Sequence, residues 1–247
     1  MKKIVLFCLL TAMLLCVCGC SFSGNIPLIP ESPEEDFQYE IKNGAVIITK
    51  YIGTDQKIRV PAMIKDRPVI EIAFNAFYGY DLTYIYIPDS VEKIGRTAFA
   101  DCKLLEKVVL PESLLSLGFS AFSDCSALAE IQIPDKLRVI ETDTFSGCSS
   151  LEYVKLPDGL QMIKVGAFEG CSSLKKLHIP DKTFIEVEME TKTDFMGTYY
   201  LCASPLQYRY WSSKLPIFTT VLSVKKDSPA HRALLGSEEY GMKYEVR

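Results

Sequence analysis

The sequence predicts a mainly β solenoid of about five units, each 22–23 residues long, closed at both ends by a cap. Three regularities predict it. Phe77, Phe99, Phe122, Phe145 and Phe168 recur at intervals of 22, 23, 23 and 23 residues. Pro88, Pro111, Pro134, Pro157 and Pro180 hold one register between them. Each unit also repeats a single apolar pattern, F-x-x-C-x-x-L-x-x-(V/I/L)-x-(I/L)-P-x-x-(L/V)-x-x-(I/L)-x-x-x-(A/T)-F. One such unit cannot cover its own apolar face, whereas stacked units share a continuous core.

Composition narrows the function classes. The chain has 247 residues, 48% hydrophobic and 23% charged, which suits a folded protein with a sizeable core. Its 27 basic and 31 acidic residues withhold the basic footprint of sequence-independent nucleic-acid binding, so no nucleic-acid partner is expected. The nine cysteines do not form a disulfide framework. Cys8, Cys16, Cys18 and Cys20 lie in the first twenty residues, and Cys102, Cys125, Cys148 and Cys171 fall one per unit.

The amino-terminal segment reads as an address and an anchor. Lys2 and Lys3 precede an apolar run of fourteen residues, Ile4 to Val17. That run is shorter than the ~20 residues of a spanning helix and fits a signal peptide over residues 1–19. It ends in Val17-Cys18-Gly19-Cys20, which resembles a bacterial lipobox with Cys20 as the acceptor thiol; plain secretory cleavage nearby is the alternative. Diacylglyceryl modification there would anchor the chain to a membrane. Loss of residues 1–19 leaves 25 basic against 31 acidic residues, a net charge of −6. Residues 20–36 then carry three prolines, three serines and four acids, the composition of a semi-rigid tether.

Within residues 77–183, LTYIYI, LEKVVL, LAEIQI, LEYVKL and LKKLHI read as short strands stopped by proline, which has no N–H to extend a ladder. A second apolar pair follows each proline: Val91/Ile94, Leu114/Leu117, Leu137/Ile140 and Leu160/Ile163. The first unit is one residue short, with Tyr80 in the cysteine slot. Residues 37–60, within an amino-terminal cap and half-repeat over 37–76, are expected to form a β-hairpin. Residues 184–247 are expected to cap the far end with mixed α and β structure.

The run IPDSVEKIGRTAFADC, residues 87–102, is similar to the BspA-type leucine-rich repeat almost position for position. Residues 39–77 resemble that family's amino-terminal hairpin and first half-repeat, and DSPAHRALLGSEEYGMKYEV resembles its terminal helix and last strand. The first unit and residues 184–216 depart from the pattern. The resemblance implies a leucine-rich-repeat fold, surface exposure and a part in adhesion or protein recognition.

No catalytic set emerges. Four cysteines in a linear column offer a metal ion only neighbours, whereas a tetrahedral site needs four converging ligands. Side chains ~4.8 Å apart on parallel rungs suit a disulfide poorly, and buried thiols are the favoured reading. His178 falls in an outward strand column and His231 in the expected terminal helix, neither beside a nucleophile. No phosphate-binding glycine loop is present. The sequence therefore predicts a non-enzyme without cofactor or metal; a glycan hydrolase using cap residues is the minor alternative.

The outward strand positions differ in every unit, where core positions repeat. They are Tyr84/Tyr86, Lys107/Val109, Glu130/Gln132, Tyr153/Lys155 and Lys176/His178. A solvated sheet face and a recognition surface both fit. On the second reading Tyr84, Tyr86 and Tyr153 anchor a ligand, and the lysines select acidic partners. A second patch, Tyr208, Tyr210 and Trp211, lies in the carboxy-terminal cap, where its rings serve either coverage of the last coil or binding. The expected function is a lipid-anchored, extracytoplasmic binding module whose partners are host or neighbouring-cell surface proteins or glycans, with a structural envelope protein as the alternative. The sequence leaves the oligomeric state open.

Overall fold

The computed structural model describes residues 29–186, 188–194, 197–203, 221–224, 226–227 and 243–246. A 3-10 turn, Glu34–Asp36, leads into the hairpin β1 (Phe37–Lys42) and β2 (Ala45–Tyr51). Short strands follow: β3 (Lys57–Arg59), β4 (Met63–Ile64) and β5 (Arg67–Ile72). The repeats then alternate two kinds of strand. Three-residue strands are β6 (Tyr84–Tyr86), β8 (Lys107–Val109), β10 (Glu130–Gln132), β12 (Tyr153–Lys155) and β14 (Lys176–His178). Two-residue strands are β7 (Lys93–Ile94), β9 (Ser116–Leu117), β11 (Val139–Ile140), β13 (Met162–Ile163) and β15 (Phe184–Ile185). The chain continues through the hairpin β16 (Glu188–Asp194) and β17 (Gly197–Ala203) to β18 (Val221–Val224) and β19 (Lys243–Val246).

Two parallel rows result. The first runs β3-β6-β8-β10-β12-β14-β18-β19, with Lys57 opposite Tyr84, Tyr84 opposite Lys107, and Lys176 opposite Val221. The second runs β2-β5-β7-β9-β11-β13-β15. The architecture is the mainly β solenoid that the repeat predicts.

The core is a set of columns. Phe77, Phe99, Phe122, Phe145 and Phe168 stack with ring centroids 4.9, 5.1, 5.8 and 5.5 Å apart and planes within 15°. Tyr51 extends the stack by one ring, 5.5 Å from Phe77. The backbone beneath repeats as well: Phe77, Phe99, Phe122 and Phe145 donate their N–H groups to Ala98, Ala121, Thr144 and Ala167 of the next rung at 2.8–2.9 Å. Ile85, Val108, Ile131, Val154 and Leu177 point inward from the first row, all buried.

Turns between the rows rest on two columns with positive φ. Asn75, Thr97, Ser120, Asp143 and Gly166 form one, and Gly79, Asp101, Asp124, Gly147 and Gly170 the other. Asn, Asp and Gly tolerate the left-handed region, which explains most of both columns. Close approach sets a further limit at Gly118, where a Cβ would lie 2.5 Å from the backbone of Gly95 and Arg96.

The ends differ from expectation in three places. The cap hairpin is residues 37–51, and residues 57–59 instead open the first strand row. Residues 32–36, expected in the tether, join the cap: the Ser32 N–H donates to the Arg59 carbonyl at 2.9 Å and Ile52 N–H to Asp36 carbonyl at 2.7 Å. Ser32 thereby satisfies backbone groups on the otherwise open edge of β3. At the other end, β15 prolongs the second row past residue 183, and β18 and β19 add rungs to the first after the β16–β17 hairpin. The expected terminal helix and His231 lie outside the described residues.

Thr97 is the one β-branched residue in its positive-φ column, at φ 52°. The left-handed conformation costs such a residue roughly 1–2 kcal/mol, and asparagine less. Thr97→Asn is therefore expected to stabilise the protein by about 0.5–1 kcal/mol, seen as a higher midpoint in urea unfolding.

Candidate functional site

The first strand row presents one face to the core and the other outward, because successive side chains of a strand alternate. Its outward positions are those named from the sequence, together with Lys57 and Arg59 of β3. Sequence reasoning missed this first pair. The signal was Ile58-x-Val60-Pro61, a copy of Ile85-x-Ile87-Pro88, displaced from the 23-residue register by the β4–β5 turn.

Exposure sorts the face into two halves. Tyr84, expected as an exposed anchor, is only 5% exposed. The cause is the added β3 rung: Lys57 flanks Tyr84, and Arg59 lays its guanidinium 4.7 Å from the Tyr86 ring centroid. Burial raises the pKa of the Tyr84 hydroxyl, Tyr86 adds to the rise, and Arg59 opposes it. Tyr86 is half-buried beneath Arg59. Lys107 and Glu130, on adjacent rungs, pair with each other at 3.3 Å. Val109 and Gln132 are half-buried. Tyr153 is 59% exposed, and Lys155, Lys176 and His178 are exposed around it. The open part of the face is therefore its β12–β14 half. Cys20, Tyr208, Tyr210 and Trp211 lie outside the described residues.

A second surface feature had no signal in the sequence. Phe74, Arg96 and Phe119 occupy one column in three consecutive rungs, with Phe74 59% exposed and Arg96 5.2 Å from the Phe119 ring centroid. That column continues as Thr142 and Val165, so no two consecutive rungs share a residue there.

The cysteine column is packing with a hydrogen bond. Cys102, Cys125, Cys148 and Cys171 are buried free thiols. Each Sγ lies 3.0–3.2 Å from the carbonyl of Phe77, Phe99, Phe122 or Phe145, one rung away. Tyr80 fills the same slot in the first unit and donates its hydroxyl to the carbonyl of Tyr51. Among the described residues, no group of three His, Cys, Asp or Glu side chains could hold a metal ion. Burial pushes the Cys102 and Cys171 thiols up to about 12 and holds Cys125 and Cys148 well above their ordinary value. The native state thus keeps protons that the unfolded chain releases from about pH 9 upward. Stability should fall as pH rises from about 9 towards 12, and fall less steeply in a Cys125→Ala/Cys148→Ala variant, as urea midpoints across that range would record.

None of the curated proteins matches the sequence. A T. pallidum leucine-rich repeat protein of known structure is 38% identical, with a TM-score of 0.60, covering 61% of this chain and 72% of that one. A leucine-rich repeat protein from Eubacterium ventriosum is 22% identical with a TM-score of 0.50, covering 68% of this chain and 56% of that one, a likeness of fold. A leucine-rich cell surface protein from Faecalibacterium prausnitzii is 22% identical with a TM-score of 0.49, covering 80% and 71%. The family model for the BspA-type leucine-rich repeat region matches six copies over residues 70–191, one more than the five phenylalanine-anchored units. With columns, turns and repeat all of this kind, the chain belongs to the BspA-type leucine-rich repeat family.

Proposed function

We propose that this protein is a lipid-anchored, extracytoplasmic binding module that acts without catalysis, adhesin-like, on surface proteins or glycans of a host or a neighbouring cell. One observation carries the reading. Columns that face the core repeat as Phe, Cys, Leu or Ile in rung after rung, while the outward column beside them runs Lys, Tyr, Lys, Glu, Tyr, Lys. A rigid sheet holds these varied side chains where a partner can dock. Proteins of this repeat family are generally non-catalytic. Tyr153, with Lys155 and His178 beside it, is the preferred anchor, since aromatic side chains dominate binding hot spots. Individual contacts on so narrow a face are weak, and many copies on one membrane would multiply them.

The anchor itself is Cys20. A Cys20→Ala variant is expected to leave the membrane fraction and lose incorporation of labelled fatty acid, since a thiol is needed for the thioether. Retained labelling would move the anchor elsewhere.

The binding role is tested with the full chain in detergent against a panel of matrix proteins, mucins and neutral glycans. Tyr153→Ala/Lys155→Ala/His178→Ala should lose at least about tenfold in affinity for the captured ligand while keeping its unfolding midpoint. Glu92→Ala/Leu115→Ala/Arg138→Ala, on the second row's side, should change it little. The reverse pattern would place the site on that other side, and a panel with no binder would favour a structural envelope role.

A further inference from the structure

The charge of the strand face opposes that of the chain. Overall the protein has 27 basic and 31 acidic residues. The twelve outward positions of β3, β6, β8, β10, β12 and β14 hold five basic residues, Lys57, Arg59, Lys107, Lys155 and Lys176, against one acid, Glu130. Acids collect instead on the bordering turn, as Asp89, Glu112, Asp135, Asp158 and Asp181 after the five repeat prolines. An anion is thereby attracted to the strand rows and repelled from their margin.

From this pattern we propose that the face binds a carboxylated polysaccharide, laid along the solenoid axis from β3 to β14. The inference rests on the binding-module reading and names its ligand class. Cations stand on the first, third, fifth and sixth rungs, as Lys57 and Arg59, Lys107 (paired with Glu130), Lys155 and Lys176, with neighbouring rungs roughly 4.8 Å apart. Arg59 offers its planar fork to a carboxylate. The exposed Tyr153 supplies a ring on which a sugar face can lie.

A polypeptide suits the face less well. Within β3-β6-β8 and β10-β12 the strand N–H and C=O groups are spent between rungs, so no ladder edge is open there for a peptide strand to join. Recognition has to come from side chains alone, which favours a polymer with no backbone amides to satisfy.

The test measures fluorescence anisotropy of labelled octagalacturonate with the full chain in detergent, at low and high ionic strength. Maltooctaose is the neutral control and octaglutamate the peptide control. Octagalacturonate should bind at least about tenfold more tightly than either, and less tightly as salt rises. Lys57→Glu/Lys155→Glu, both at exposed positions, should weaken it about tenfold or more, while Lys136→Glu/Lys182→Glu, an equal charge change on turns, should not. Equal binding of octaglutamate, equal loss in both charge variants, or no binding of octagalacturonate would each overturn the inference. If the panel above yields a ligand lost with Tyr153 while octagalacturonate stays unbound, the module reading survives without this one; silence from both removes both.

Discussion

Every rung of this molecule is hydrogen-bonded to the next through its own backbone, and that bond fixes how far apart equivalent residues stand. At a spacing near 5 Å, each position must tolerate a copy of itself directly above and below. Phenylalanine does so by stacking nearly parallel at 4.9–5.8 Å. Cysteine does so because one thiol is small and bonds across to a carbonyl of the previous rung. Serine does the same at the surface, where Ser149 and Ser172 give their hydroxyls to the carbonyls of Ser126 and Ser149. Gly95 and Gly118 meet the limit differently, by having no side chain where two turns nearly touch.

Charge obeys the same constraint. Like charges in register on neighbouring strands destabilise a sheet, and unlike ones help it. Glu71 pairs with Lys93 at 2.8 Å, Lys107 with Glu130 at 3.3 Å and Glu141 with Lys164 at 2.8 Å, each across one rung. These pairs are exposed enough that each contributes only about 0.2–1 kcal/mol, so their value is in avoiding repulsion and holding register. Where the outward columns carry two cations in succession they are set on different columns, as Lys155 and Lys176 are.

The repeat was legible because stacking forces inward columns to be monotonous. Phe77 to Phe168, the cysteines and the prolines could be placed from the sequence alone, and so could the two rows of strands. What escaped was whatever does not repeat. Lys57 and Arg59 belong to a rung whose Ile-x-Val-Pro signature survives, but the β4–β5 turn shifts it out of the 23-residue count. Their arrival is what buries Tyr84, so the face was read one rung short and one of its three expected anchors is covered. Residues 32–36 looked like tether by composition, yet the backbone of Ser32 closes an edge that composition does not reveal. The Phe74, Arg96 and Phe119 column changes residue type from each rung to the next, which no periodicity could flag.

The positive-φ columns carry one last consequence, for how such a chain can change over generations. Both turns of every rung are built locally, by one residue each, and neither depends on a contact more than one rung away. An in-frame duplication of any single unit therefore inserts a complete coil whose turns, stack and ladder already match those on either side. It lengthens the outward face by one row and leaves the existing rows in place. Such a protein can acquire reach without redesign, and a mutation in the new row is free to explore a ligand while its parent row keeps the old one.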